Sequence, residues 1–430
     1  MEIVKSELLR DSLKQEFRVS KKYFTRVRKQ TFHLILLFML NMLRKSLAIE
    51  IDNFFNFLGK KAGSGSKFSK SAFVQARKKI KPEVFKHLSQ TLVNEFYSDN
   101  EAAIKTWKGF RLLAIDGSRI TLPITKELKA YYGETKNQSS TGVVQARCSV
   151  LYDVENNYVL DGILAPLKVG ERELALQHLL YCKKGDLLIY DRGYPSYDFI
   201  HQHIEKGLDY LIRVKVNFSQ VTSDFCKSKK RSQIVSIYPG KNTKISDKPY
   251  NRKTPIKLRL IRIELPKGGV EILMTSLLDI TTYSTKSFKT LYNKRWGVET
   301  FYDELKNKLK VEHFSGYSNQ SILQDFYAAL FVSNIQTLIQ SDLEQELEQH
   351  NKQRKYNYKV NTNLSYGFLK NRILELFFSD NPMEKTFEQL KELFLKHQVP
   401  IRPNRSYNRS SGKYRSRIKP SVTKNHKDSL

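Results

Sequence analysis

A stretch of polar side chains between Tyr283 and Lys310 has a spacing that would bring several of them together. The stretch has no proline and a single glycine and is rich in helix formers, so it predicts one long helix. At about 100° per residue, some of its polar side chains fall within roughly an 80° arc of one face; they are Tyr292, Arg295, Glu299, Asp303 and Lys306. A hydroxyl, a bidentate cation, two carboxylates and a lysine on one face can bind phosphate groups, or can form i,i+4 ion pairs on a solvated surface.

Two aspartates elsewhere accompany apolar, strand-like runs. Asp116 interrupts the run RLLAIDGSRITL at residues 111–122, and Asp191 ends the apolar part of DLLIYDRGY. On adjacent strands both carboxylates would lie side by side at the end of a sheet, and Glu299 could supply a third. Carboxylates without neighbouring histidine or cysteine are hard oxygen ligands that suit Mg²⁺ or Mn²⁺. Two such ions can activate a water or a 3′-hydroxyl and stabilise the leaving oxygen of a phosphodiester. Taken alone, Asp116-Gly117 is typical of a turn, and Asp191 could simply mark the end of a strand.

The elements around these aspartates have a recognisable order. Strands are predicted by their apolar and β-branched patterns at residues 111–122, 142–154, 157–167, 186–194 and 209–215. Helices are predicted at residues 171–183 and 196–207, the second with Ser196 as its cap and Gly207 at its end. The order βββαβαβ is that of a ribonuclease H-like core, in which the first and fourth strands are adjacent.

Helices and an insertion flank this core. The first hundred residues predict helices throughout, and a cap at Ser69 or Ser71 starts a basic helix with Arg77 that resembles a helix-turn-helix reader or a solvated face. Residues 218–280 interrupt the core with a polar, basic segment and further strands, as a small surface decoration would. Residues 318–346 predict an apolar helix packed on the sheet, and residues 364–397 predict two more helices.

The composition indicates which class of partner the protein binds. The 430 residues carry a formal net charge of +31 and a pI near 9.8, which predicts a polyanionic partner, nucleic acid before anionic membrane. The most apolar run, residues 32–43, is too short to span a bilayer, so no membrane partner is expected. Three cysteines without a CxxC pair suit a reducing cytoplasm.

The spacing Tyr292-x2-Arg295-x3-Glu299-x6-Lys306 resembles the YREK signature of bacterial DDE transposases of the insertion-sequence-four family. AIDGS and YDRGY precede it in the order that the family shows, and the resemblance covers roughly residues 105–320. It implies a catalytic and metal-binding triad of Asp116, Asp191 and Glu299 in a ribonuclease H-like fold, with two Mg²⁺ or Mn²⁺ ions. It also implies double-stranded DNA as partner, at the transposon ends and the target, and a homodimer when two ends are synapsed.

Other residues then acquire candidate roles in DNA binding. Arg295 and Lys306 would clamp phosphates near the cleaved bond, and Tyr292 could hydrogen-bond to a phosphate oxygen. Trp296 could stack on a displaced base or fill the core. Arg192 and Tyr194, beside Asp191, are further candidate DNA contacts.

The predicted fold class is therefore mixed α+β or α/β. It combines a ribonuclease H-like catalytic core with a β-strand insertion domain, a helical N-terminal DNA-binding domain and a helical C-terminal region. The predicted divisions are residues 1–104 for the N-terminal domain, 105–217 and 281–346 for the core, 218–280 for the insertion, 347–400 for the C-terminal helices and 401–430 for a basic tail. The predicted function is cut-and-paste DNA transposition in a bacterial cytoplasm, at the nucleoid. Two alternatives are a non-transposing ribonuclease H-like nuclease or resolvase, and a DNA-binding regulator derived from a transposase.

Overall fold

The structure is a computed structural model that describes residues 1–26, 30–62, 67–99, 103–135, 142–265, 268–378 and 382–402. Within these residues the chain forms one large mixed β-sheet and many helices, which confirms the predicted mixture of helices and strands. The chain divides into two compact units, as far as they are described: a helical unit of residues 1–100, 119–146 and 303–430, and a sheet unit of residues 101–118 and 147–302. No helix in the described part is long and apolar enough to cross a membrane.

The strands follow the predicted order closely. They are β1 Arg111–Leu122, β2 Glu134–Thr135, β3 Val143–Asp153, β4 Val159–Pro166, β5 Asp186–Tyr190, β6 Asp209–Val214, β7 Ser232–Ile237, β8 Ile256–Glu264, β9 Val270–Thr275, β10 Tyr358–Val360 and β11 Gln398–Pro400. The large sheet has the order β2-β3-β1-β5-β6-β9-β8-β7, and β4 also pairs with β3. The strands β10 and β11 form a small separate antiparallel pair.

The centre of the sheet is parallel and buried. β5 pairs in parallel with β1 on one side and with β6 on the other, and its five residues are all buried. An apolar run of this kind is typical of a parallel strand that is covered on both faces. Asp116 does not lie at the end of a strand, where both carboxylates were predicted, but inside β1, which continues through Asp116 and Gly117 to Leu122. The turn signal of Asp116-Gly117 therefore did not end the strand.

The insertion is more closely joined to the sheet than a surface decoration. β9 pairs antiparallel with β6, β8 with β9 and β7 with β8, so the insertion extends the central sheet by three strands. The expectation of a small surface decoration is therefore corrected. The alternating pattern of β8 identified the strand, but the pattern carried no information on which edge it would join.

The helices are, in chain order, α1 Glu2–Leu9, α2 Asp11–Phe17, α3 Phe32–Leu40, α4 Leu47–Ala62, α5 Lys70–Arg77, α6 Glu83–Asp99, α7 Lys126–Tyr132, α8 Glu171–His178, α9 Tyr197–Glu205, α10 Gln220–Lys227, α11 Ser287–Asn293, α12 Trp296–Asp303, α13 Asn319–Ser341, α14 Glu344–Lys352, α15 Thr362–Phe378 and α16 Met383–Lys396. A 3-10 turn, Leu179–Tyr181, follows α8, and a π-helical segment, Glu304–Lys308, follows α12. The predicted caps Ser69 and Ser196 both accept hydrogen bonds from backbone N–H groups of the helices that they start.

The helical unit is built around α13. This 23-residue helix packs chiefly against α6 and also contacts α3, α15 and α16. The expectation that it packs mainly on the sheet is corrected, because buried residues occur all around the helix and suit a bundle of helices. The basic helix α5 also differs from a DNA reader in one respect, since Arg77 is buried and paired with Asp325 of α13.

The single long helix predicted between Tyr283 and Lys310 is also corrected. The segment forms α11, a break at Lys294 and Arg295, then α12 and the π-helical segment. Gly297 lies at the start of α12, where a Cβ atom would come within 3.4 Å of Val154, so this helix approaches the turn after β3 closely. Helix propensity alone could not show this close contact or the division of the segment.

Candidate active site

Asp116 and Asp191 lie at the same level of the sheet. In the parallel pairing of β1 with β5, Ala114 is opposite Ile189, and each aspartate comes two residues later along the chain, Asp116 within β1 and Asp191 just after the end of β5. The carboxylate of Asp116 accepts a hydrogen bond from the backbone N–H of Gly117 at 2.8 Å. The predicted side-by-side placement of the two aspartates thus follows from the register of two neighbouring strands.

Asp191 is held by two donors that come from different elements. The hydroxyl of Tyr292, on α11, donates to Asp191 Oδ1 at 3.2 Å. The guanidinium of Arg213, on β6, lies 3.8 Å from the same oxygen and 3.0 Å from Glu271. Tyr292 is in place because its neighbours Phe288 and Leu291 pack into the apolar cluster on the sheet. Arg213 carries no motif in the sequence; only its position next to the end of β5 reveals it.

Glu299 is joined to Asp116 through Arg295. Arg295 Nη2 donates to Glu299 Oε1 at 2.8 Å, and Nη1 lies 3.5 Å from Asp116 Oδ2. The arginine side chain is 5% exposed, whereas those of Asp116 and Glu299 are 23% and 36% exposed. The buried cation thus holds two carboxylates that solvent can reach. The Nε atom of Arg295 has no hydrogen-bond partner among the described residues.

The positive charge of Arg295 does not fully offset the effect of burial on the carboxylate of Asp116. Burial raises the pKa of Asp116 to about 6, and Glu299 and Asp191 add to the rise. The bond from Gly117 and the charge of Arg295 act in the opposite direction. Because burial is the main cause of the raised pKa, the ionised carboxylate of Asp116 is poorly solvated, and a further cation would stabilise it.

The helix α12 is fixed to the sheet unit by contacts on several sides. Phe301 stacks on Tyr152 of β3 with ring centroids 5.1 Å apart. Lys294, just before α12, forms an ion pair with Glu155 in the turn after β3. The hydroxyl of Tyr302 donates to the backbone carbonyl of Asp116 at 2.7 Å. The helix that carries Glu299 is therefore anchored to both β1 and β3.

The remaining predicted residues fall into different environments. Trp296 is 43% exposed, so it does not fill the core, and the guanidinium of Arg295 lies 5.2 Å from its ring centroid. Arg192 is exposed beside Asp191. The prediction that Tyr194 contacts DNA is corrected, because this residue is 2% exposed and packs against Tyr190 and Phe199 in the core. Lys306 lies in the π-helical segment that follows α12, within the helical unit.

The donor set fits a hard divalent cation, although the arrangement is not a finished metal centre. Within the described ranges, no three acidic, histidine or cysteine side chains are grouped so that they could hold one ion. Asp116, Asp191 and Glu299 nevertheless supply carboxylate oxygens only, and the charges of Glu299 and Asp191 add to the rise that burial causes in the pKa of Asp116. Oxygen-only ligands of this kind suit Mg²⁺ or Mn²⁺.

Two known transposases are similar to this chain. Transposase InsG for insertion sequence element IS4, from Escherichia coli (strain K12), is 23% identical over 280 residues, which are 62% of this chain and 60% of that relative. The chain thus matches about three fifths of the length of this relative. A cryo-EM structure of the piggyBac transposase synaptic complex with hairpin DNA aligns with a TM-score of 0.44 and 10% identity, over 96% of this chain and 88% of that one.

The family model described as "Transposase DDE domain" matches residues 107–335. This match is more than half of the chain, and it includes both aspartates, Glu299 and the two donors Tyr292 and Arg295 that contact them. The identification as a DDE transposase from the YREK spacing is thereby confirmed. The chain belongs to the family of proteins that carry a transposase DDE domain.

Proposed function

We propose that this protein is a DNA transposase that binds the terminal inverted repeats of its insertion sequence and catalyses metal-dependent cleavage and strand transfer. The observation that carries the proposal is the convergence of Asp116, Asp191 and Glu299 around Arg295 and Tyr292. In support, Arg295 contacts both Asp116 and Glu299, Tyr292 bonds to Asp191, and all three acids lie within the segment that matches the family model.

The proposed catalytic core is ribonuclease H-like. Its support is the order β4-β3-β1-β5-β6, in which β1 and β5 are neighbours and run parallel. With the two-residue β2 set aside, these are the first and fourth strands of the predicted βββαβαβ order. The proposed domains keep the predicted bounds, with residues 1–104 for recognition of DNA ends and residues 218–280 as an insertion that extends the sheet.

The family implies the use of a divalent metal, and we propose two Mg²⁺ or Mn²⁺ ions held by Asp116, Asp191 and Glu299. When bound, such ions supply an activated water or 3′-hydroxyl and stabilise the leaving oxygen. Arg295 keeps Asp116 and Glu299 near each other while both remain accessible, and Tyr292 orients Asp191. These contacts preorganise the acids before DNA arrives.

The proposed DNA contacts are Arg295, Lys306, Tyr292, Trp296 and Arg192. Arg295 and Tyr292 have their donors at the carboxylates, which is where a scissile phosphate would be held, so they can also bond to its oxygens. The exposed ring of Trp296 can stack on a displaced base. The net charge of +31 supports binding to DNA at the bacterial nucleoid.

The proposed assembly is a homodimer on two paired ends, because transposition joins two ends to one target. A protomer bound at one end would then cleave the other end. Mixing a Glu299→Ala protomer with a binding-defective protomer on paired end DNA tests this arrangement. Cleavage in the mixture alone supports action in trans, whereas full activity of a 1:1 complex on an unpaired end contradicts it.

The function itself is tested with purified protein, Mg²⁺ and DNA that carries both ends of the element. We expect cuts at the element boundaries and joining of the released ends to a target plasmid, both absent with Glu299→Gln. Cutting without joining would identify the nuclease alternative. Specific binding to the ends without any cutting would identify the regulator.

A further inference from the structure

Tyr302 lies one helical turn after Glu299 on α12 and contacts the strand that carries Asp116. Its O–H group donates to the backbone carbonyl of Asp116 at 2.7 Å and lies 3.2 Å from the carbonyl oxygen of Cys148 on β3. The side chain is 6% exposed, and its hydroxyl contacts the backbones of both β1 and β3.

The contact links the two acids through rigid parts of the structure. Residues three apart on a helix share a face, so Glu299 and Tyr302 project from the same side of α12. The hydroxyl bonds to the peptide unit of Asp116 itself, so a shift of the helix along β1 would break this bond. Arg295 joins the same two acids, but it does so through their carboxylates, which can rotate.

The other contacts of α12 constrain a different direction. The stack of Phe301 on Tyr152 and the close approach of Gly297 to Val154 hold the helix against β3 and its turn. Tyr302 adds a hydrogen bond to the backbone of β1. Its side chain has only two rotatable angles to the ring, so it can fix a separation more tightly than a long flexible side chain can.

We propose that Tyr302 is a positioning residue that sets the separation of Asp116 and Glu299 and thereby the ability of these carboxylates to hold Mg²⁺. The inference rests on the proposed function. Mg²⁺ demands near-ideal octahedral geometry at short distances, whereas Ca²⁺ accepts irregular coordination at longer distances. A loosened separation of the two acids therefore weakens Mg²⁺ binding more than Ca²⁺ binding.

The test compares Tyr302→Phe with Tyr152→Phe in the full chain without DNA. Tyr152 is a matched control, because its ring packs in the same region and its hydroxyl donates to Asn157 at 3.2 Å, away from β1. Mn²⁺ binding is followed by electron paramagnetic resonance, with Mg²⁺ and Ca²⁺ as competitors. For Tyr302→Phe we expect Mg²⁺ affinity to fall about tenfold and Ca²⁺ affinity to change less than about twofold. The control should match the wild type for both ions.

A second variant separates positioning from packing. Replacing Tyr302 with 4-aminophenylalanine keeps the ring and an N–H donor at the same place, and it should restore the affinity for Mg²⁺. The proposal is overturned if Tyr302→Phe binds Mg²⁺ as the wild type does. It is also overturned if both ions lose affinity equally, or if Tyr302→Phe unfolds and the amino variant, once folded, still binds Mg²⁺ weakly. A wild-type protein that binds no Mg²⁺ and cuts no DNA would instead refute the proposed function.

Discussion

Two buried arginines in this molecule differ in how completely their N–H groups are hydrogen-bonded. Arg77 in the helical unit donates from Nε to Gln324 at 2.9 Å, from Nη1 to Ser315 at 2.6 Å and from Nη2 to Asp325 at 2.8 Å. Arg295 in the sheet unit bonds to Glu299 and approaches Asp116, but its Nε atom has no partner among the described residues. The acid that pairs with Arg77 is buried, whereas those of Arg295 are open to solvent.

The difference distinguishes a structural cluster from a reactive one. Around Arg77 every charge is buried and bonded, so the network gains nothing from a ligand and holds α5 on α13. Around Arg295 the carboxylates outnumber the cation, and Asp116 has a raised pKa. A site with unbalanced charge and an unbonded buried donor still has capacity to bind substrate and ions.

The largest expected effect is on catalysis. Asp116→Ala, Asp191→Ala and Glu299→Ala should each lower DNA cleavage by at least about a thousandfold. Binding to end DNA should stay close to wild type, because the basic surface carries it. Gel assays of cleavage and filter binding measure the two quantities. Wild-type cleavage by any one variant in Mg²⁺ would remove that residue from the triad.

The next largest effect is on stability, and it should appear in the cluster around Arg77. Asp325→Asn leaves the buried charge of Arg77 without its partner, so the free energy of unfolding should fall by about 3–5 kcal/mol. Glu299→Gln keeps an oxygen acceptor for Arg295 in a solvent-reachable pair, so the change should stay within about 1 kcal/mol. Urea unfolding of both variants provides the measurement. Equal losses in the two variants would remove the distinction between the clusters.

A third effect concerns pH in the absence of divalent metal. Because the pKa of Asp116 is raised from 3.8 to about 6, the folded state binds its proton more tightly than the unfolded state does. Ionisation of this group therefore destabilises the fold, and its contribution falls as pH rises between about 4 and 6. Relative to Asp116→Asn, the wild type should lose about 2 kcal/mol of unfolding free energy between pH 4 and pH 7. A difference between the two proteins that does not vary with pH would contradict this assignment.

The smallest expected effect concerns the tail, most of which lies outside the described residues. The last thirty residues hold nine Lys or Arg against one acid, and deletion of residues 402–430 should flatten the dependence of DNA affinity on salt. Each lost phosphate contact should change the slope of log K against log salt by about 0.9. An unchanged slope in titrations from low to moderate salt would show that the tail does not contact DNA.

The prediction of individual elements succeeded where a pattern was local. The buried run of β5, the caps Ser69 and Ser196 and the hairpin of β3 and β4 all follow from apolar periodicity and turn residues. The prediction of one long helix from Tyr283 was wrong, because the segment divides at Lys294 and Arg295 into α11 and α12, and helix propensity does not encode such a division. The same limit applies to Tyr194, whose neighbours Asp191 and Arg192 gave no sign that its ring enters the core.

The sequence by itself determined which residues could do chemistry, because spacing along a helix and position at a strand end are properties of the local chain. The spacing from Tyr292 to Lys306 therefore identified the family before any contact was known. Only the tertiary structure decided that Arg295 joins Asp116 to Glu299, that Arg213 approaches Asp191 and that Tyr302 bonds to the backbone of β1. These contacts connect distant parts of the chain, and they depend on strand register and helix packing, which no local pattern encodes.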